Sequence, residues 1–185
     1  MPGAGDANPD GTAGQDGGAP DAATGAVDAA PTDAAPIDAA PMCPAAYVTL
    51  GAAPGRYRAF DTTMTWAAAA ADCADDDDGG GFSGSTHLAV IGDETERSAL
   101  ADSGLSGNRW VGLTDEAVEN QFVWVTAEPT GTYPAIGDQP PWDNGNPSVD
   151  PSLNCVRFKN SFAFEDKSCG EANKVLCECD AYPPR

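Results

Sequence analysis

The sequence predicts an α+β domain, and three observations support that class. Two short helical segments come early in the folded part of the chain, at about residues 65–73 and 93–104. Strand patterns come mostly later, as in the alternating run at residues 121–125. A long segment without a strong pattern, residues 127–154, separates the later strands and is predicted to be a functional loop. Helices and strands segregated in this way are typical of α+β folds.

The first 42 residues differ in composition from the rest and are predicted to be a disordered acidic linker, residues 1–42. They contain seven Asp, no Lys or Arg and no aromatic residue, and an Asp-Ala-Ala-Pro repeat recurs every five residues between Asp28 and Pro41. Too few apolar side chains are present to offset a backbone ordering cost of about 1–2 kcal/mol per residue. Proline at this spacing rules out a continuous helix, so an extended spacer is expected ahead of a folded domain at residues 43–185.

The two helices are predicted from their caps. Thr65 can cap the first helix, an Ala-rich run in which Trp66 and Cys73, seven residues apart, share a face. Asp93 can cap the second helix, which is expected to end near residue 104. Glu96 stands at the third helical position, where its side chain would complete a capping box.

Five strands are predicted from apolar and β-branched runs. They lie at residues 87–91, 109–113, 121–125, 155–158 and 174–178. Trp110 and Trp124 fall in strands and are predicted to face the core. His87, the one histidine, is interpreted as structural because no Cys or Ser stands at a spacing typical of a catalytic pair. Residues 75–81, four Asp followed by three Gly, are predicted to be a surface loop whose carboxylates are solvated rather than a calcium site.

The net charge restricts the possible partners. It is −20 for the whole chain, and the 22 acidic and 9 basic residues after the linker leave −13 on the folded part. A phosphate backbone requires a basic face, so nucleic acid is excluded as a partner. No apolar run is long enough to span a membrane, and the start is not a secretion signal, so a signal or an anchor is expected to lie outside this chain.

All six cysteines lie after the linker, which indicates an oxidising, extracellular compartment. A zinc site is the alternative, because Cys169, Cys177 and Cys179 stand close together. Paired zinc ligands are usually two to four residues apart, whereas this sequence offers a Cys-x-Cys pair and a single His. Disulfide bonds are therefore the favoured interpretation.

Several motifs, in order, resemble the C-type-lectin-like family. Residues 110–115, Trp-Val-Gly-Leu-Thr-Asp, resemble its Trp-Ile-Gly-Leu core motif, residues 65–73 its first helix, and residues 86–91 the strand that leads into its second helix. The closing signature is similar as well and consists of Trp142, Gly145, Pro147, Cys155, Cys169, Cys177 and Glu178. The resemblance covers about residues 43–180. It implies two helices packed on small antiparallel sheets with a long ligand-binding loop, in a binding module rather than an enzyme.

The resemblance also implies the disulfides Cys73–Cys177 and Cys155–Cys169. The first would close a long loop, for which chain-entropy arithmetic gives about 4–5 kcal/mol of stabilisation, and the second a short loop worth about 3 kcal/mol. Cys43 is similar to the start of the family's additional N-terminal hairpin, but Arg56 stands where its partner is expected. Cys43 is therefore predicted to pair with the remaining Cys179 and to connect the two ends of the domain.

The family's sugar-binding members imply a site for calcium. They hold the ion with a Glu-Pro-Asn or Gln-Pro-Asp triplet in the long loop and a Trp-Asn-Asp sequence in the next strand, and the ion chelates two sugar hydroxyls. Here the triplet reads Asn146-Pro-Ser148 and the strand reads Phe-Glu165-Asp166. Asn146 keeps a carbonyl oxygen without the charge, Ser148 offers a hydroxyl, and Glu165 and Asp166 are stronger anions than the usual pair.

Further calcium ligands are expected nearby. Leu153 stands where a Glu ligand is common and cannot bind the ion through its side chain. The nearby residues that could substitute are Asp143, Asp150 and Asn154. Asp115 and Glu119 fall on the positions of a second calcium ion in mannose-binding relatives, and the alternative for them is solvated surface charge.

Two binding functions remain open. The first is calcium-assisted carbohydrate binding by a secreted or surface-tethered module that recognises a glycan or a cell-surface glycoprotein. It would use the loop at residues 138–154, with Trp142 available to stack on a sugar face. The second is calcium-independent binding of a protein ligand, which the altered residues Asn146, Ser148 and Leu153 favour. An enzyme is the weakest interpretation, because no nucleophile–base pair or pair of acids stands in a recognisable motif.

Overall fold

The structure is a computed structural model that describes residues 40–105, 107–136 and 141–185. The predicted linker lies outside the described residues except for positions 40–42. Positions 138–140 of the predicted ligand loop also lie outside them. The fold is therefore described from Ala40 onwards.

Within the described residues, two α-helices and seven strands form the domain. In chain order they are β1 (Arg56–Met64), α1 (Trp66–Ala74), β2 (Ser85–Leu88), α2 (Glu94–Asp102), β3 (Arg109–Thr114), β4 (Val123–Trp124), β5 (Cys155–Phe158), β6 (Phe164–Lys167) and β7 (Asn173–Asp180). Both helices lie where their caps predict them. The α+β class expected from the sequence is confirmed. The predicted surface loop after α1 begins with a short 3-10 helix at Asp75–Asp77 instead of irregular chain.

The seven strands belong to one sheet. Its main path has the order β1-β7-β3-β5-β6, while β2 pairs with β7 and β4 pairs with β3. The strand pairs are antiparallel except for β3 and β7, which run parallel. That one parallel pair joins the two antiparallel parts, so the small sheets expected from the resemblance form a single mixed sheet. Strand β7 lies second on this path and pairs with β1, β2 and β3.

The first turn of each helix is capped by the residue before it. Thr65 Oγ1 accepts a hydrogen bond from Ala68 N at 3.4 Å, and Asp93 Oδ1 accepts one from Glu96 N at 2.8 Å. The predicted capping box at α2 is wrong in one respect. The Glu96 carboxylate accepts hydrogen bonds from Gly92 N and from the Tyr57 hydroxyl, rather than from the backbone of Asp93. The side chain of Glu96 therefore connects α2 to β1 through the interior.

Three disulfides cross-link the domain. They are Cys43–Cys179, Cys73–Cys177 and Cys155–Cys169, the pairs expected above. Because no cysteine is left free, the zinc alternative is excluded. Two of the disulfides end on β7, so this strand is bonded covalently both to α1 and to the segment before β1.

The residues interpreted as structural are buried. Trp110 and Trp124 lie in the core, as predicted, and their ring nitrogens donate to Met64 O at 2.8 Å and to Tyr133 O at 2.9 Å. His87 is also buried, and its ring contacts Leu88 O at 2.9 Å and Asp180 Oδ1 at 3.1 Å. These polar contacts satisfy large side chains that are otherwise surrounded by apolar ones.

Candidate functional site

The long loop between β4 and β5 returns to the sheet beside β6. Asp143 N donates to Phe164 O and Phe164 N donates to Pro141 O, both at 2.9 Å, so the chain around Trp142 forms a parallel bridge to Phe164. A turn follows, in which Asn146 N donates to Asp143 O at 3.0 Å and Gly145 adopts a φ of 81°. A positive φ is readily accessible to glycine. The bridge and the turn place residues 146–148 near the second half of β6.

Asp166 is the predicted ligand that lies deepest in this region. Its exposed fraction is 0%, and Oδ2 accepts a hydrogen bond from Ser148 N at 2.9 Å. Oδ1 is buried and has no hydrogen-bond partner among the residues that the structure describes. Burial raises the pKa of Asp166, and the nearby charge of Asp115 raises it further. A carboxylate oxygen is thus available inside the domain next to the loop triplet.

Asp115 and Asn154 lie beside Asp166 at the ends of β3 and β5. Asp115 N donates to Asn154 O at 3.1 Å, and Asp115 Oδ2 accepts from Asn120 N at 2.8 Å. Asp115 is 3% exposed. The second oxygen of Asp115 and the side-chain oxygen of Asn154 are buried and unpaired within the described part of the chain. Three unsatisfied oxygens, one from each of these residues, therefore occur in one region.

Glu119 and Asp150 stand on the solvent side of the same group. Both are exposed. Loss of solvation raises the pKa of Glu119, and the charges of Asp115, Asp150 and Asp166 raise it further, so Glu119 lies near all three acids. Asp150 accepts hydrogen bonds from the hydroxyl and the backbone N–H of Ser152 at 2.8 Å and 3.0 Å, which lower its pKa.

The donor types of this group are those that calcium prefers. Calcium takes about 6–8 hard oxygen ligands from carboxylates, amide carbonyls and water. Asp115, Asn154 and Asp166 offer three buried oxygens that lack partners in the described chain, and Glu119 and Asp150 offer exposed carboxylates next to them. A buried oxygen without a hydrogen-bond partner destabilises the folded state by about 1–3 kcal/mol, and a cation bound to that oxygen would remove this cost. We call these five residues the acidic site.

The remaining predicted ligands are placed differently. Asn146 is half-buried, and its Nδ2 donates to Asn144 O at 3.3 Å. Ser148 Oγ accepts from Asp150 N at 3.1 Å, so its hydroxyl lies next to the acidic site. Asp143, which could have substituted as a ligand, forms a 2.5 Å ion pair with Lys159 that lowers its pKa. Its charge is therefore matched by Lys159.

Glu165 is not joined to the acidic site, contrary to the expected metal and sugar role. Along β6, Phe164 and Asp166 are buried whereas Glu165 and Lys167 are half-buried, as expected for residues that alternate between the two faces of a sheet. Glu165 pairs with Arg157 at 2.7 Å and with Lys167 at 2.9 Å. Burial opposes its ionisation, but hydrogen bonds from Lys167 and Arg157 outweigh burial and lower the pKa of Glu165.

Trp142 is not available as a sugar-stacking surface, which corrects that expectation. Its side chain is 1% exposed. The ring packs against Phe122 and Phe164, with centroids 5.1 Å and 5.9 Å away. An aromatic ring that fills the core has no free face for a ligand, so the role of Trp142 is to anchor the end of the long loop.

The sequence matches the model of the lectin C-type domain over residues 62–179. The chain belongs to the C-type lectin domain family. This is a family of carbohydrate-binding and protein-binding modules. The match begins within β1 and ends at Cys179, so it includes both helices, the long loop and all five residues of the acidic site.

Two relatives share the C-type lectin sequence over part of their length. C-type lectin domain family 4 member F of Mus musculus is 28% identical over 100 residues, which are 52% of this chain and 18% of that protein. Pulmonary surfactant-associated protein D of Sus scrofa is 33% identical over 87 residues, 46% of this chain and 22% of that protein. The chain therefore corresponds to about a fifth of the length of either relative.

Solved structures share the C-type lectin fold. The C-type lectin CEL-I from Cucumaria echinata superposes with a TM-score of 0.58 at 21% identity, covering 74% of this chain and 96% of that chain. A calcium-independent type II antifreeze protein has a TM-score of 0.58 at 22% identity, with 78% and 98% covered. At this identity the likeness establishes the fold.

Both helices of the described chain have nine residues, and a membrane crossing needs about 20, so neither could span a bilayer.

A second group of acids was not anticipated from the sequence. Glu96, Glu128, Glu178 and Asp180 come from α2, from the segment after β4 and from β7. Their one sequence signal is Glu178, a charged residue in the middle of the apolar strand Asn173–Asp180. One carboxylate oxygen from each of Glu128, Glu178 and Asp180 lies within 4.8 Å of the others, a spacing at which these three acids could hold a metal ion.

Proposed function

We propose that this domain is an extracellular, calcium-assisted glycan-binding module. The observation that carries the proposal is the group of three buried oxygens, on Asp115, Asn154 and Asp166, without hydrogen-bond partners in the described chain. Carboxylate and amide oxygens are the hard ligands that calcium prefers, and these three come from the end of β3, the start of β5 and from β6. The three disulfides support an oxidising compartment.

The acidic site would hold the ion through its inner and outer residues together. Asp115, Asn154 and Asp166 would contribute the buried oxygens, and Glu119 and Asp150 would add carboxylates from the solvent side. When bound, calcium would neutralise these acids and offer coordination positions to two vicinal sugar hydroxyls. Affinity follows ligand charge and rigidity, and the neutral Asn146 and Ser148 in the triplet place it toward the weak end of the calcium range.

The loop triplet would contact the sugar from beside the ion. Asp166 Oδ2 already holds Ser148 N at 2.9 Å, so ordering Asp166 also orders the triplet. The amide of Asn146 and the hydroxyl of Ser148 can each donate and accept, as neutral sugar hydroxyls require. The protein's part is thus to fix a set of oxygens and two neutral polar groups at one end of the long loop.

The proposal is tested by calorimetric titration of calcium into the chelator-treated chain, with a melting curve recorded alongside. Saturable binding that raises Tm supports it, because a ligand that binds the folded state stabilises that state. Asp166→Asn and Asp115→Asn should each weaken calcium affinity at least tenfold. Glu116→Gln is the matched control, because it removes the same charge from the exposed residue next to Asp115 and should change the affinity less than threefold.

A glycan array with and without chelator completes the test. Glycan signals that chelator abolishes, and that Asp166→Asn also loses, support the whole proposal. Calcium binding without any chelator-sensitive glycan signal would support the calcium site but contradict glycan binding. Absence of calcium binding at millimolar concentration would contradict both the calcium site and calcium-assisted glycan binding.

A calcium-independent protein-binding module is the second candidate. It is favoured by two residues that were expected to bind sugar but are occupied elsewhere. Glu165 forms ion pairs with Arg157 and Lys167, and Trp142 is buried in the core. A calcium-independent antifreeze protein with this fold shows that the scaffold exists without the ion. The two candidates separate in a pull-down with chelator present. A specific partner retained under those conditions, and released by mutation of residues 146–149, would favour the second.

A further inference from the structure

The turn before the loop triplet contains the one Asn-Gly pair of the sequence, Asn144-Gly145. Asn146 N donates to Asp143 O at 3.0 Å, and Gly145, at the third position of the turn, has a φ of 81°. The described non-glycine residues with a positive φ do not include Asn144, so the pattern is that of a type II turn. This turn type requires a positive φ at its third position, which glycine adopts without steric cost. The turn therefore accounts for the glycine that follows Asn144.

The side chain of Asn144 is unrestrained within the described part of the chain. Asn144 and Gly145 are both exposed, and a Cβ atom placed on Gly145 would meet no atom within 4 Å. Asn144 takes part in the turn through its backbone carbonyl, which accepts from Asn146 Nδ2 at 3.3 Å. The hydrogen bonds of the described residues include none to the side-chain amide of Asn144 and none from Gly145 N. Both groups are therefore free to react with each other.

An asparagine amide can be displaced by the next backbone nitrogen, and asparagine is among the thermolabile residue types. The nitrogen of Gly145 loses its proton and attacks Cγ of Asn144. An N–Cγ bond forms, the Cγ–Nδ2 bond breaks, and ammonia leaves with the proton. Water then opens the five-membered ring. Opening at Cγ gives an aspartate at position 144, and opening at the main-chain carbonyl gives an isoaspartate whose backbone runs through Cγ.

The other exposed asparagines of the described chain lack one of these features. At Asn120 the following amide is engaged, because Gln121 N donates to Val118 O at 2.9 Å. At Asn160 the side chain is engaged, because its Oδ1 accepts a hydrogen bond from Gly107 N. Each of these two residues is also followed by a side chain that shields the backbone nitrogen, which glycine does not have.

The turn is attached to β6 on both sides. Before it, Asp143 N donates to Phe164 O at 2.9 Å. After it, Ser148 N donates to Asp166 Oδ2 at 2.9 Å. The position of the loop triplet, residues 146–148, therefore depends on the number of backbone atoms in the turn.

We propose that Asn144 is a site of spontaneous deamidation and that the reaction alters the turn before the loop triplet. Both products add a negative charge two residues before Asn146. The isoaspartate also adds one backbone carbon between Asp143 and Asn146, although the chain is attached to β6 on both sides. The hydrogen bond from Asn146 N to Asp143 O closes a turn of normal length, so it should be lost in this product. The modification requires neither calcium nor a glycan.

The test incubates the full chain at pH 6 and pH 8 and follows each asparagine by peptide mapping and mass spectrometry. Excess chelator is present, so that an ion in the acidic site cannot restrain the loop. Deamidation at Asn144 should be at least tenfold faster than at Asn120 or Asn160. It should also be at least fivefold faster at pH 8 than at pH 6, because the attacking nitrogen must lose its proton. Asn146 precedes a proline, which has no N–H to lose, and should keep its amide.

Two variants separate the effect of the fold from that of the local sequence. Gln121→Gly gives Asn120 the same following residue that Asn144 has, while the nitrogen at position 121 still lies opposite Val118 O. Deamidation of Asn120 in this variant should stay at least fivefold slower than that of Asn144. Asn144→Gln has a longer side chain that would have to form a six-membered ring, so it should accumulate at least tenfold less acidic product than the wild type.

Amide exchange measured by NMR tests the effect on the turn, because loss of a hydrogen bond exposes its N–H to exchange. After chromatographic separation, the isoaspartate form should exchange the Asn146 amide at least fivefold faster than the unmodified chain. Freshly prepared Asn144→Asp carries the added charge without the additional backbone carbon. Its Asn146 amide should exchange within twofold of the unmodified rate, so the two forms separate charge from backbone length.

Three results would overturn the proposal. The first is an Asn144 that keeps its amide throughout the incubation at pH 8. The second is an Asn120 that reacts as fast as Asn144 in Gln121→Gly, since the hydrogen bonding of the fold would then have no effect. The third is an isoaspartate form whose Asn146 amide exchanges no faster than that of the unmodified chain.

Discussion

Arg157 donates two hydrogen bonds to one oxygen of Glu165, from Nε at 2.9 Å and from Nη2 at 2.7 Å. Lys167 lies 2.9 Å from the other oxygen, so both carboxylate oxygens of Glu165 are occupied by cations. Asp166, the next residue, has a buried oxygen without any partner in the described chain. Two adjacent acids on β6 therefore have different roles, one in an ion-pair network and one in the acidic site.

Glu165→Gln should leave calcium affinity within threefold of the wild-type value, because its carboxylate is held by Arg157 and Lys167. The variant should lower Tm, since the two cations lose a half-buried partner. Calorimetry and a melting curve on the same sample measure both effects. An affinity loss as large as that of Asp166→Asn would show instead that Glu165 turns toward the ion.

Trp142→Ala should destabilise the domain by about 3–5 kcal/mol, the usual cost of removing a buried large aromatic side chain. Trp142→Phe keeps most of the packing against Phe122 and Phe164 and should cost less. Urea unfolding provides the free energies. Trp142→Phe should retain ligand binding at temperatures well below its Tm. A complete loss of binding in a folded Trp142→Phe variant would show that Trp142 contacts the ligand.

Removal of the Cys43–Cys179 disulfide by a double Ser substitution should cost more stability than removal of Cys155–Cys169. The two disulfides span sequence separations of 136 and 14 residues. Chain-entropy arithmetic for these loops gives about 5 and about 3 kcal/mol. Denaturant unfolding of the two double variants under non-reducing conditions measures the difference. The reverse order would show that strain or local unfolding dominates over loop closure.

Asp93→Ala should destabilise the domain by about 1 kcal/mol, the typical value for losing an N-cap. Thr65→Ala should cost less, because its hydroxyl accepts a hydrogen bond at 3.4 Å whereas Asp93 accepts one at 2.8 Å. The pair of variants tests cap geometry on two helices of equal length within one chain. Equal losses of unfolding free energy would indicate that the longer contact shortens in solution.

Local patterns were sufficient to predict the helices and most strands. Thr65 stands before an Ala-rich run, and Asp93 stands three residues before Glu96 in the pattern of a helix start. Trp110 lies in a run that contains Val, Leu and Thr, so local sequence locates these elements. Strand β1 was not predicted. Its residues Arg56–Met64 are mostly half-buried or exposed, and they form a strand because they pair with β7, more than 100 residues later. No local pattern carries that information.

The candidate site was predicted in part, and the errors have a physical origin. Asp115, Glu119, Asp150 and Asp166 lie in one region, but motif positions could not show that Arg157 stands opposite Glu165 on β5. Alternation along β6 was the available signal, since Phe164 and Asp166 share one face. The second group of acids, Glu96, Glu128, Glu178 and Asp180, was missed because its members come from three segments that are far apart in sequence and because acids are ordinarily exposed.

The disulfide between Cys43 and Cys179 determines how the domain would carry a mechanical load. Every residue from 44 to 178 lies within the loop that this one covalent bond closes. Tension applied between the two chain ends would pass from Cys43 directly to Cys179 and would bypass the helices, the sheet and the long loop. While that bond is intact, pulling on the chain ends can extend only the segments outside it, and the site keeps its geometry under stretch.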